Sequence, residues 1–169
     1  MRFRACACAA LFLPALVQAQ ESPHAFTGAR ILTISGGEIE NGTLLVHRGK
    51  IVAVGTGIAI PPGATEHDVS GRLLMPGLVD THSHVGQVAG ADGSAPIQPE
   101  VRALDSVNVR HAGIQKAQAG GITTVNVMPG SGHLLSGQTV YLKLRDGSTV
   151  EELAIRLSDG AIAGGMKMA

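Results

Sequence analysis

The stretch Gly71-Arg72-Leu73-Leu74-Met75-Pro76-Gly77-Leu78-Val79-Asp80-Thr81-His82-Ser83-His84 separates two kinds of sequence. Pro76-Gly77 is a turn signal, and Leu78 to Asp80 opens a short apolar strand that ends in two histidines two residues apart. Side chains alternate along a strand, so His82 and His84 face the same way. Two neutral imidazoles placed together suit a Zn, Fe, Ni or Mn ion. The spacing alone fits either a chelating pair or two loop histidines without a ligand. Their place at the carboxyl end of a strand, where α/β sheets and barrels put their ligands, supports the pair but leaves both readings open. Asp80 shares this alternation; it either orients a ligating imidazole from behind or caps the strand end.

Upstream, Phe26 to Val69 is a series of apolar runs of about five residues broken by turns. The turns are Gly36-Gly37, Arg48-Gly49-Lys50, Gly55 to Gly57 and Pro61-Pro62-Gly63. This pattern predicts a small N-terminal β-domain over residues 20–70, a β-sandwich or a sheet layer. The first 19 residues read as an address and not as structure. Arg2 and Arg4 precede a short apolar run, Ala5 to Val17, and Val17-Gln18-Ala19 has the small residues of a cleavage site. The run is shorter than the roughly 20 residues that span a bilayer. The expectation is a bacterial signal peptide cut after Ala19, a periplasmic or secreted product and no membrane attachment after cleavage. Cys6 and Cys8 leave with it, so the remaining chain has neither disulfide nor thiolate chemistry. Arg2 and Arg4 leave too, so 11 basic residues stand against 13 acidic ones and the charge becomes −2. No basic block occurs, which argues against nucleic acid as partner.

Downstream of the histidines, a Gly/Ala/Pro-rich loop runs to Pro99 and a helix is expected in the second half of Glu100 to Ala119, stopped by Gly120-Gly121. Ile122 to Met128 is a near-continuous β-branched run, predicted as a strand buried on both faces. Strand, helix, strand predicts a βα unit leading into a parallel sheet or barrel. Thr139 to Leu144 alternates as a strand, and Thr149 to Leu157 has a capped helix start with Glu151 and Glu152 in its first turn. With one Tyr, three Phe and no Trp, the core must be aliphatic.

His133 lies in a Gly/Ser-rich loop after the second strand, placed either to contact substrate or metal or to sit in solvent. Gly130-Ser131-Gly132 and Ser136-Gly137-Gln138 are not followed by Gly-Lys-Ser/Thr, so they do not form a phosphate loop. His24, His47, His67 and His111 are expected at surface positions without a role.

The quoted stretch resembles the opening of the amidohydrolase superfamily barrel, and within it the imidazolonepropionase-like branch. The resemblance runs from about Thr27 to Tyr141 and includes Ala119-Gly120-Gly121-Ile122-Thr123-Thr124-Val125, which looks like the family's second barrel strand. It implies an α/β fold in which residues 71–169 begin a TIM (β/α)8 barrel. It also implies a divalent metal, Zn2+ foremost, with one or two ions in a full enzyme. His82 and His84 match the two ligands after the first strand. The implied chemistry is hydrolysis of a C–N bond in a small-molecule amide or cyclic amide. A closed barrel takes roughly 200 residues or more, and about 100 follow Gly71. The family's later His pair and late Asp have no counterpart here, and Lys167 comes too early to be its bridging Lys. The expectation is therefore an N-terminal segment, inactive alone, in which no catalytic residue is assignable. The competing expectation is a non-catalytic exported β-domain protein with at most weak metal binding.

Overall fold

The computed structural model describes residues 22–86, 92 and 94–168, so the expected signal peptide lies outside the described residues. The chain divides into two compact units, one ending at Met75 and the other beginning at Pro76.

The first unit is a five-stranded sheet. Its strands are β1 (His24–Leu32), β2 (Glu38–His47), β3 (Lys50–Gly55), β4 (Thr65–Asp68) and β5 (Leu73–Leu74). The β2–β3 hairpin turns at Arg48 and Gly49, where φ is +51° and +70°. Two consecutive positive φ values give the turn the twist that neighbouring antiparallel strands need, and glycine takes the second at no steric cost. β1 pairs antiparallel with β2 on one side. On its other side β4 runs parallel to its first half and β5 to its second. This arrangement corrects the expected sandwich and matches its alternative, a single sheet layer. β1 joins β2, β4 and β5 into one ladder system that β3 extends, so among the described residues of this unit no strand is left to form a facing sheet. Ala25, Ala29, Ile31 and Leu45 are the buried apolar residues of this unit. His24 and His67 are not isolated surface groups: Nδ1 of one lies 3.0 Å from Nε2 of the other, and Phe26 stacks on His67.

The second unit contains β6 (Leu78–Ser83), α1 (Ala112–Ala119), β7 (Ile122–Val127), β8 (Leu135–Gln138), β9 (Val140–Lys143), α2 (Val150–Leu153) and β10 (Met166–Met168). β6 and β7 are parallel, and α1 lies between them in sequence, as the strand–helix–strand reading predicts. His111 caps α1, its Nδ1 accepting the Gly113 N–H at 3.2 Å, and Gly120 ends the helix. Ile114 on α1 is buried in a core with Val125, Val127, Val140, Leu142, Leu144 and Leu153. All are aliphatic, as the aromatic-poor composition requires.

Three expectations need correction here. β7 is not buried along its whole length: Thr124, Val125 and Val127 are buried, Thr123 is exposed, and Ile122 and Asn126 are half-buried. β9 joins β7 antiparallel, so the three-stranded sheet is mixed. The helix expected over Thr149 to Leu157 is a single turn, Val150–Leu153. It starts as predicted, with Thr149 Oγ1 accepting the Glu152 N–H and Glu152 Oε2 accepting the Thr149 N–H, both at 3.3 Å. It stops because the next residues are drawn to the edge of β9, where Ile155 N–H donates to Tyr141 O at 2.9 Å and Ala154 bridges Leu142. A short helix leans heavily on its cap, so Thr149→Ala should destabilise this unit by about 1 kcal/mol. A urea titration followed by circular dichroism reads this as a lower midpoint with unchanged slope.

Candidate metal centre

β6 delivers His82 as its fifth residue, and His84 follows directly after the strand. His82 is exposed and His84 is half-buried. Their ring centres are 5.2 Å apart with planes at 83°. An ion held by imidazole nitrogen at about 2.0–2.1 Å lies about 3.2 Å from each ring centre, and a tetrahedral angle then separates the centres by about 5.2 Å. The spacing therefore fits two ligands of one tetrahedral ion.

The carboxyl ends of β6 and β7 are laced together at Met128. Its N–H donates to Ser83 O at 3.0 Å, and its carbonyl lies 2.9 Å from His84 Nδ1. A carbonyl only accepts, so Nδ1 carries the proton and donates it. The neutral imidazole then presents Nε2 as its free lone pair. A ligating histidine held through its other ring nitrogen is the usual arrangement at metal sites. Ser83 between the two histidines is buried and pairs with Val127, which anchors the segment that carries them.

Asp80 is half-buried, and its Oδ1 accepts the backbone N–H of His82 at 3.0 Å. Its contact is thus with the main chain that carries the histidine. His133 is half-buried in the loop between β7 and β8, where its charge acts on Asp92. The Asp92 carboxyl is held below the ordinary carboxylate range, first by the Ser94 backbone N–H, then by the Ser94 hydroxyl and the Gln98 amide, with His133 contributing least. Lys167 is on β10, opposite Gly137 of β8. Among the described residues no group of three or more His, Cys, Asp or Glu is placed to hold an ion, so the structure brings His82 and His84 together and leaves Asp80 and His133 outside their donor set. Sequence reasoning did not find the Met128 carbonyl, since a main-chain acceptor has no residue-type signature. The donors that are present, two imidazole nitrogens, are those a divalent transition-metal ion accepts.

No family model matches the chain. Among proteins of known name, a dihydroorotase of Geobacter sulfurreducens is 30% identical over 140 residues, covering 83% of this chain and 30% of that protein. The amidohydrolase tasK of Hapsidospora irregularis is 32% identical over 114 residues, covering 60% of this chain and 12% of that protein. Among solved structures, an amidohydrolase from Thermotoga maritima MSB8 superposes with a TM-score of 0.75 at 34% identity, covering 86% of this chain and 38% of that one. The chain thus spans less than two fifths of the length of each of these relatives. Sequence and fold agree that this chain belongs to the amidohydrolase superfamily.

Proposed function

We propose that this chain contributes the first two metal ligands, His82 and His84, of an exported hydrolase that cleaves C–N bonds in small amides or cyclic amides. The observation that carries the reading is the His84 Nδ1 contact with the Met128 carbonyl, which dedicates Nε2 to a ligand, beside a second imidazole at chelating distance. The names of the relatives, amidohydrolase and dihydroorotase, support the bond type. The charge and cleavage pattern of residues 1–19 supports export to the periplasm or beyond. Among the described residues no helix is long and apolar enough to cross a membrane.

In this reading His82 and His84 hold a divalent ion, Zn2+ in the first instance. When bound, such an ion polarises a carbonyl and lowers the pKa of a water molecule toward neutrality. The chain's own residues set the geometry. The Met128 carbonyl keeps the proton on His84 Nδ1, and Ser83 fixes the strand between the two ligands. A pair of ligands is short of the three or four protein donors that zinc sites use, so these residues alone should bind metal without turnover.

A titration of the purified chain with Co2+ tests the reading. The expected result is a visible absorption band that saturates, is displaced by Zn2+, and disappears in the His82→Ala/His84→Ala double variant. The Zn2+-loaded chain should hydrolyse neither a dipeptide nor a cyclic imide. A band that survives the double variant would overturn the site, and turnover by these residues alone would overturn the division of labour.

A further inference from the structure

The β6–β7 ladder slips by one residue just where the first ligand sits. Asp80 pairs with Val125 and Ser83 with Val127. Two residues of β6, Thr81 and His82, therefore stand opposite a single residue of β7, Asn126. An extra residue in one strand leaves main-chain groups unpaired and breaks the side-chain alternation locally. His82 is on this bulge, so its direction depends on what holds the bulge and not on regular pleating.

Two side chains take up the groups that the slip releases. Asp80 Oδ1 accepts the His82 N–H at 3.0 Å. Asn126, the residue facing the bulge, donates from Nδ2 to Thr81 O at 3.4 Å. The carbonyl can only accept, so the amide nitrogen must point at it. The consequence is visible at the other end of the amide, where Asn126 Oδ1 is enclosed without a hydrogen-bond partner. An unsatisfied buried acceptor costs roughly 1–3 kcal/mol, so an asparagine in an otherwise β-branched run is poor packing unless its other end has a task.

We propose that Asp80 and Asn126 are positioning residues: they clamp the Thr81–His82 bulge from its two sides and thereby aim His82 at the ion that His84 shares. This rests on the metal-pair reading given above and adds the residues that hold the pair in register. Asp80 acts here through an oxygen acceptor and not through its charge, and Asn126 acts through a donor that leucine, of similar size, lacks.

The test combines a readout that needs no metal with one that does. In metal-free chain, amide hydrogen exchange at His82 is measured by NMR. Asn126→Leu and Asp80→Ala should each speed it at least about tenfold, while Asp80→Asn, which keeps the acceptor, should restore the slow rate. In the Co2+ titration the first two variants should weaken binding about tenfold, within the 10–100-fold range that supporting partners of metal ligands carry, and Asp80→Asn should rescue it. Wild-type exchange at His82 in both Asn126→Leu and Asp80→Ala would overturn the clamp. So would loss of rescue in Asp80→Asn, because the carboxylate would then act by charge. If Co2+ binding ignores His82 and His84 altogether, the metal reading fails, and the exchange rates still decide the clamp. A circular-dichroism melt identifies a variant that has lost the sheet; its exchange would then rise throughout β6 and β7, and such a global pattern in both variants also counts against a local clamp.

Discussion

In a Zn2+ titration of the purified chain, His82→Ala and His84→Ala should each lower affinity by roughly a hundredfold or more. That exceeds what a supporting partner carries, since each substitution removes half of the donor set. The two variants should differ in stability. His82 is exposed, and its ring makes no hydrogen bond among the described residues, so its removal should leave the melting temperature close to wild type. His84 donates to the Met128 carbonyl at the joint between β6 and β7. Its removal leaves that acceptor to water and should cost about 1 kcal/mol, a shift of a few degrees. Calorimetric titration beside a thermal melt reads both quantities. Equal melting temperatures would mean that the His84–Met128 contact does not hold the joint, and wild-type affinity in either variant would remove that histidine from the site.

This division shows what was legible in the letters and what was not. Local signals translated well. Arg48-Gly49 made its hairpin turn, Gly120 ended α1, and Thr149 capped the start of its helix as expected, Glu152 being the partner that the structure adds. His82 and His84 come together across the single residue Ser83, as their spacing suggested, although the bulge at Thr81 and His82 means that regular alternation is not what aims them. Pairings between distant segments were not legible. Nothing in residues 24–74 says that β4 and β5 share one edge of β1 in place of forming a second sheet. Nothing in residues 140–143 gives the direction in which β9 meets β7. The slip opposite Asn126 was hidden for the same reason: a bulge belongs to two strands, and its partner is more than 40 residues away. Asn126 is a polar letter in a β-branched run, but that letter does not name its partner, because a main-chain carbonyl looks alike at every position.

The same dependence on distant pairing predicts the second large effect, at Gly137. This residue lies on β8, buried, with φ at +121°, a conformation that side-chain-bearing residues rarely adopt. A Cβ added there would collide with the Val101 carbonyl oxygen. That carbonyl cannot retreat freely, because it accepts the Gln138 N–H at 2.7 Å. Together with the Ile97–Leu135 and Arg102–Gln138 bridges, this bond ties the segment that follows the His pair to β8. Gly137→Ala thus adds backbone strain of roughly 1–3 kcal/mol to an overpacking cost of roughly 1–3 kcal/mol, and should lower stability by about 3 kcal/mol. Gly132, in the preceding loop, has nothing within 4 Å of an added Cβ, so Gly132→Ala should change stability by less than about 0.5 kcal/mol. Urea midpoints for the two variants make the comparison at constant chemistry, one methyl group on each glycine. If the two midpoints coincide, β8 does not run against Val101 in this register, and the anchoring of the loop after the metal pair must be sought elsewhere. If only Gly137→Ala falls, that loop is held by main-chain pairing, and its variant should also lose metal affinity as the segment beyond His84 loosens.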